Sequence, residues 1–156
     1  MDGRLCHETL LKFSGVDHAT LLDRLRGIRD EVEAGHLTEA AQELAGWRRD
    51  LARHLDWEER ALLPALTCHG TDDDDRVAED HVSEHRELLV LAADVSELVR
   101  TERGAGRWDE AVHRLDTIAR RLERHRDAEL YGVCSRLDAA LDPHAIRQLE
   151  RARDER

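Results

Sequence analysis

Four long stretches of the sequence repeat apolar residues at alternating intervals of three and four positions. Leu44, Trp47 and Leu51 in the second stretch show this spacing. Residues at such intervals share one face of an α-helix, and a bundle helix turns that face towards the core. Polar clusters that contain glycine separate the stretches at residues 35–36, 68–71 and 104–106. The pattern predicts an all-α protein, an up-down-up-down four-helix bundle, with helices over roughly residues 16–34, 38–66, 73–102 and 107–140.

The two ends of the chain carry weaker patterns than the middle. Residues 1–15 are predicted to form an N-terminal extension, and residues 16–140 are predicted to form the bundle. Residues 141–156 would form a short C-terminal helix, because Asp142 and Pro143 suit an N-cap and a first helical turn. A content of 38% charged residues with only two prolines favours helices over strands throughout.

Charge and hydropathy exclude several classes of protein. The formal net charge is -11 and basic residues are interleaved with acidic ones, so nucleic acid is not an expected partner. No apolar stretch is long enough to cross a bilayer, and the N-terminus does not resemble a signal peptide. We therefore expect a cytoplasmic protein without a membrane partner. Cys6, Cys68 and Cys134 lack the spacing of a disulfide framework or a cysteine zinc site, and the oligomeric state stays open.

Seven polar residues interrupt the otherwise apolar faces of the four predicted helices. Three pairs among them are spaced by four residues, which places both side chains on one helix face, one turn apart. An imidazole and a carboxylate in that arrangement can bind one metal ion together. A buried carboxylate without a cation or a hydrogen-bond donor would instead cost several kcal/mol. The candidate metal ligands are His18, His54, Glu58, His81, His85, His125 and Glu129.

The heights of these residues along the bundle provide an independent test. In an up-down bundle, two residues at equal distances from a loop lie at the same height. His18 and His54 lie 18 residues on either side of His36, and the pairs across the other two loops match to within one residue. At about 1.5 Å per residue, all seven side chains would therefore lie in one layer. Isolated core histidines would have no reason to satisfy these relations.

A ferritin-like centre is an alternative that uses Glu-x-x-His pairs. Glu33 with His36 and Glu110 with His113 have this spacing. The first pair runs into a predicted loop and the second lies off the apolar face, so we disfavour this alternative. Solvated or structural roles are expected for His7, His36, His69, His113 and His144.

The candidate ligands form four motifs in a fixed order. They are Asp17-His18, His54-x-x-x-Glu58-Glu59, His81-x-x-x-His85-Arg86 and His125-x-x-x-Glu129. This ordered set resembles the hemerythrin-like, or HHE cation-binding, domains over roughly residues 16–135. The resemblance implies a hemerythrin-like bundle with a non-haem di-iron centre, which binds dioxygen reversibly in some members of the family.

The resemblance also implies a role for each ligand and a cofactor of two iron ions with an oxo or hydroxo bridge. One iron would be held by His81, His85 and His125, the other by His18 and His54, with Glu58 and Glu129 as bridges. A count of donors then leaves one open position on the iron with two histidines, where dioxygen, peroxide or nitric oxide would bind. Glu59 lies off the apolar face and is predicted to be dispensable for metal binding.

The last motif separates this chain from the respiratory hemerythrins. Those proteins have an aspartate five positions after the histidine, whereas Glu129 follows His125 by four, as in bacterial and eukaryotic HHE domains. Carrier, sensor and enzyme therefore all stay open. The alternative function is an iron- or redox-sensing or iron-handling module, in which the di-iron centre is mainly structural or regulatory.

Overall fold

Helices make up nearly all of the described chain. The computed structural model describes residues 3–68, 70–101 and 108–155, with side chains from residue 10 onward except at positions 11 and 13. No β-strand occurs within these ranges, which confirms the all-α class. In chain order the helices are α1 (Gly3–Glu33), α2 (Leu37–Trp57), α3 (Leu63–Cys68), α4 (Asp72–Thr101), α5 (Trp108–Ala128), α6 (Ser135–Ala140) and α7 (Pro143–Asp154).

Two π-helical segments join some of these helices into longer rods. The first π segment, Glu58–Leu62, connects α2 to α3, and the second, Glu129–Cys134, connects α5 to α6. A π turn holds one residue more than an α turn, so the inward face of the rod shifts by one position. Leu62, four positions after Glu58, is therefore buried, whereas Ala61, three positions after Glu58, is only half-buried.

The long helices pack around a common core. α1 contacts α2 and α5, and α4 contacts the same two helices, so the contacts close into a ring. Buried apolar side chains form a larger cluster that contains Leu25, Trp47 and Ile118, and a smaller one that contains Trp57 and Leu137. On α1, on α4 and on the rod that contains α5 and α6, buried polar residues separate the members of one cluster from those of the other. The core is thus divided by a polar layer.

The first helix is longer than the sequence predicted. α1 begins at Gly3 rather than near residue 16, and Leu10 is fully buried in the smaller cluster. The prediction was wrong because this packing involves residues distant in the sequence, including Trp57, and gives no local signal. The side chains of Cys6 and His7, and all of His69, lie outside the described residues.

The last helix packs against the bundle beside the smaller cluster. Oδ1 of Asp142 accepts a hydrogen bond from the backbone N–H of Ala145 at 2.8 Å, which confirms the predicted N-cap. Ile146 and Leu149 are buried, and α7 contacts α1, α2 and the first π segment. Among the helices that the structure describes, none combines the length and hydropathy needed to cross a membrane.

Candidate metal centre

The seven predicted ligands lie together in the polar layer between the two apolar clusters. Each is at most 5% exposed. They come from α1, α2, α4 and α5 and from the first residue of each π segment. The structure therefore agrees with the prediction that these side chains share one layer, while their role as ligands stays a prediction.

Glu58 occupies the middle of the layer and faces imidazoles on both sides. Its Oε1 lies 2.6 Å from Nε2 of His54, and its Oε2 lies 2.8 Å from Nε2 of His85. The same Oε2 lies 3.2 Å from Nε2 of His125. One oxygen of Glu58 thus faces α2 and the other faces α4 and α5, as a carboxylate that bridges two cations requires.

Glu129 presents only one oxygen to the layer. Its Oε2 lies 3.4 Å from Nε2 of His18 and 3.9 Å from Nε2 of His125. Its Oε1 instead accepts a hydrogen bond from the hydroxyl of Ser14. The two carboxylates of the layer are therefore not equivalent.

The possible ligand atoms form two groups that share Glu58. Within each group, the atoms lie within 4.8 Å of one another, and the groups are His18, His54, Glu58 and Glu129, and Glu58, His85 and His125. His81 belongs to neither group, although its ring centroid is 5.3 Å from that of His125. The arrangement brings six of the predicted ligands into two overlapping groups, with His81 beside the second.

Several polar atoms of the layer are buried without a hydrogen bond. Among the described residues, Nε2 of His81 and Oε2 of Glu129 find no hydrogen-bond partner, and the contacts of Oε1 of Glu58 and Nε2 of His85 are ion pairs without good hydrogen-bond geometry. A buried polar atom left unsatisfied costs roughly 1–3 kcal/mol. Coordination of a cation would satisfy all four, so the residues present fit a metal centre with nitrogen and oxygen donors.

Three histidines of the layer have pKa values far from the ordinary value when no metal is bound. Burial lowers the pKa of His54, but the charge of Glu58 outweighs burial and raises this pKa to about 9. At His125 the charge of Glu58 also outweighs burial and raises the pKa to about 10. Burial and the neighbouring His54 lower the pKa of His18 to about 3.

The two carboxyl groups are shifted in opposite directions. Burial raises the pKa of Glu58, but the charges of His54 and His125 outweigh it and hold the pKa well below its usual range. Burial and the charge of Glu58 raise the pKa of Glu129 well above its usual range. Without metal, the layer at neutral pH therefore holds protons on His54 and His125, and the raised pKa of Glu129 favours a proton on this carboxyl group as well. A cation would displace these protons on binding.

The Nδ1 atoms of two histidines point away from the layer and contact backbone carbonyls. Nδ1 of His18 donates to the carbonyl oxygen of Ser14 at 2.9 Å, and Nδ1 of His81 donates to that of Val77, also at 2.9 Å. Each bond assigns the proton to Nδ1 and leaves the lone pair of Nε2 for a metal ion.

The other three histidines contact carboxylates from neighbouring helices. Nδ1 of His85 lies 2.9 Å from Oε1 of Glu59, and Nδ1 of His125 lies 3.1 Å from Oε2 of Glu84. Nδ1 of His54 lies 3.5 Å from Oδ2 of Asp17, an ion-pair distance and not that of a good hydrogen bond. Such outer partners orient metal-binding imidazoles and increase their basicity.

These carboxylates are functional candidates that the sequence analysis missed. Glu59 was expected to be dispensable because it lies off the inward face, but its contact with His85 removes the basis of that expectation. A signal was present, since Asp17, Glu59 and Glu84 each stand next to a candidate ligand in the sequence. Each then supports a histidine on the adjoining helix.

Replacing Glu84 with Ala should lower metal affinity, because Nδ1 of His125 would lose its acidic partner. Loss of such a partner typically costs about 10–100-fold in metal affinity. Glu87→Ala is the matched control, since Glu87 lies three positions along α4 and contacts Arg121 instead of an imidazole. Competition with a coloured chelator would measure both affinities. Equal affinities in the two variants would contradict an outer-partner role for Glu84.

Among the residues whose side chains the structure describes, the remaining cysteines and histidines lie outside both ligand groups. Cys68 is exposed, whereas Cys134 is buried with its Sγ 4.0 Å from Oε1 of Glu129. The predictions of solvated roles agree with the exposure of His36, His113 and His144. Glu33 and Glu110 are exposed as well, so the ferritin-like pairs do not enter the core.

Comparison with known proteins agrees with this geometry. The family model for the hemerythrin HHE cation-binding domain matches residues 15–147, which include all seven candidate ligands. Searches of curated proteins and of solved structures gave no match. The match covers most of the chain, and the chain therefore belongs to the hemerythrin HHE cation-binding family.

Proposed function

We propose that this protein is a hemerythrin-like non-haem di-iron protein that binds dioxygen, peroxide or nitric oxide at an open iron coordination position. The observation that carries the proposal is the position of Glu58, which directs one oxygen to His54 and the other to His85 and His125. A carboxylate shared in this way suits two cations and not one. The proposal takes the long helices as an up-down-up-down bundle.

The ligands are assigned to the two ions as the family resemblance implies. His81, His85 and His125 would hold one iron, and His18 and His54 the other, with Glu58 between them. Imidazole and carboxylate donors suit iron among other transition metals, and iron when bound supplies the redox chemistry of the site. The outer contacts of Asp17, Glu59 and Glu84 keep the rings of three histidines in place.

The side of the layer formed by α1 and α2 offers a route for a small molecule. A surface pocket of about 270 Å³ lies there and reaches Leu21 and His54. The apolar residues around this side are all at most 4% exposed and would exclude bulk water from the centre; they are Leu21, Leu22, Leu51 and Leu55. Together with the count of donors on each iron, this pocket supports an open position on the iron held by His18 and His54.

The first test is iron content together with azide binding. Anaerobically reconstituted protein should contain two irons per chain, because the two ligand groups share one bridging residue. Azide added to the diferric protein should produce a new charge-transfer band, with iron-free protein as the control. One iron per chain, or a preference for zinc when iron is present, would contradict the di-iron proposal. Iron that binds no azide and does not cycle with oxygen or peroxide would favour the structural or regulatory alternative.

A pair of crowding variants tests which iron carries the open position. Leu21 lies three positions after His18 on α1, and Leu88 lies three positions after His85 on α4; both are buried. Leu21→Trp should weaken azide binding, whereas Leu88→Trp, with a comparable increase in core volume, should not. Weaker binding only in Leu88→Trp would place the open position on the other iron.

A further inference from the structure

The C-terminal helix contacts the polar layer from the side of His54. Nε of Arg153 on α7 lies 3.8 Å from Oδ2 of Asp17 on α1. The same Oδ2 lies 3.5 Å from Nδ1 of His54. The side chains of Asp17 and Arg153 are each only 24% exposed, so salt screens this charge pair less than it screens an ion pair at the open surface. One carboxylate oxygen thus contacts both an arginine of α7 and a candidate metal ligand.

A second contact joins α7 to the chain next to Glu58. Nε1 of Trp57 donates a hydrogen bond to the carbonyl oxygen of Leu149 at 3.2 Å. Trp57 immediately precedes Glu58 and is 2% exposed, and its ring centroid is 6.1 Å from that of His54. Leu149 and Arg153 lie one turn apart on the same face of α7. This face therefore contacts the surroundings of His54, although α7 supplies none of the seven candidate ligands.

His54 is the candidate ligand whose outer nitrogen is held least firmly. Nδ1 of each of the other four candidate histidines lies 2.9–3.1 Å from an acceptor. Nδ1 of His54 is buried without a hydrogen bond. When Nε2 binds a metal ion, the ring proton is on Nδ1 and needs an acceptor. Asp17 faces this nitrogen, and an oxygen with two lone pairs can contact His54 and Arg153 at once.

We propose that Arg153 is a positioning residue that holds Asp17 against His54, so that docking of α7 and binding of metal at His54 favour each other. The inference rests on the metal centre of the proposed function. A coupling between two binding events has the same magnitude in both directions. A docked α7 therefore raises metal affinity, and bound metal opposes the release of α7 by the same factor. The occupancy of the buried centre is thereby coupled to a helix at the surface.

Few apolar contacts attach α7 to the bundle. Within α7, only Ile146 and Leu149 are buried. Leu141, which separates α7 from α6, has an extended backbone with φ -100° and ψ 146°. Elements with few buried apolar contacts open locally at a lower free energy than the core of a protein. Local opening of α7 therefore does not require the four long helices to unfold.

Amide hydrogen exchange of α7 measures this coupling in the intact chain. Saturation with iron(II) under anaerobic conditions should slow the exchange of α7 amides in the wild-type chain by about tenfold. This is the lower end of the effect of residues that support a ligand, because Arg153 acts through Asp17. In Arg153→Gln, iron(II) should bind about tenfold more weakly, and the slowing of exchange in α7 should be largely lost.

Two further variants separate coupling from a general role of Arg153 in α7. Arg151→Gln is the matched control, because Arg151 lies on the same helix and is exposed; its iron affinity and its slowing of exchange should equal those of the wild-type chain. Arg153→Lys keeps the positive charge and should retain most of both effects. A purely structural role of Arg153 would instead speed exchange in α7 equally with and without iron.

The inference is overturned if iron(II) leaves the exchange of α7 unchanged in the wild-type chain. It is also overturned if Arg153→Gln keeps the wild-type slowing, or if Arg151→Gln or Arg153→Lys loses it. Each of these results is compatible with two bound irons and would leave the proposed function intact. A chain that binds no iron in the layer would overturn the inference and the proposed function together.

Discussion

The variant Glu58→Ala should lose the paired metal centre, and its metal affinity should fall by about 100-fold or more. Loss of a residue that only supports a ligand costs about 10–100-fold, and Glu58 is itself a predicted ligand. Glu58 is the residue shared by the two ligand groups, so its removal takes one donor from each ion at once. Elemental analysis after reconstitution would measure the loss of metal. Circular dichroism would show that the helices are retained.

Glu43→Ala is the control for this experiment. Glu43 also lies on α2 but is exposed to solvent, and substitutions at such surface positions usually change stability by no more than about ±0.5 kcal/mol. Its metal content should equal that of the wild-type chain. If Glu58→Ala still bound two ions, the shared carboxylate would have no role in pairing them, and the di-iron proposal would lose its main support.

Removal of metal should lower the melting temperature by several degrees at neutral pH. Free metal at about 100 times its dissociation constant stabilises a one-site native state by about 2.7 kcal/mol. At about 2–4 °C per kcal/mol for a domain of this size, this corresponds to roughly 5–11 °C for each site. Calorimetry of the loaded and chelator-treated protein would measure the difference. An unchanged melting curve after verified removal would place the metal outside the core.

The difference in stability between the metal-loaded and the metal-free protein should also widen as pH rises. In the metal-free layer the pKa of His54 is about 9 and that of His125 about 10, above the ~6.5 of unfolded histidine. Their contribution to stability is therefore full below pH ~6.5 and is lost as pH rises towards ~9–10. The raised pKa of Glu129 acts in the same direction. In the loaded protein, cations replace these protons, so its stability should not fall in this way.

Melting curves at pH 6.5, 8 and 9.5 would test this dependence in both forms. His18 does not disturb the comparison, since its pKa is lowered to about 3 and it stays neutral throughout this range. If the stability of the loaded and the metal-free protein decreased equally as pH rises, His54 and His125 would not bind the metal. A metal-free protein that gains stability with rising pH would contradict the assignment of protons in the layer.

The sequence was sufficient to identify the polar layer. His54 and Glu58, for example, are one turn apart on a helix whose inward face is defined by its apolar neighbours, including Leu51. Helical rise then places residues at equal distances from a loop at the same height. Both relations depend only on local periodicity and loop position, and the seven candidates accordingly lie together in the structure. The sequence also contained a signal for the three carboxylates that contact histidines, because each stands next to a candidate ligand; they are Asp17, Glu59 and Glu84.

Contacts between helices required the tertiary structure. Periodicity shows which way a side chain faces, but not which atom on another helix it meets. The bond between Ser14 and Glu129 joins residues that are 115 positions apart, and the contact of Glu84 with His125 depends on the relative register of α4 and α5. The π segments that begin at Glu58 and Glu129 also break the regular spacing that sequence reasoning assumes. The unequal surroundings of the two carboxylates are therefore decided by packing between helices, because only packing determines where each oxygen finds its partner.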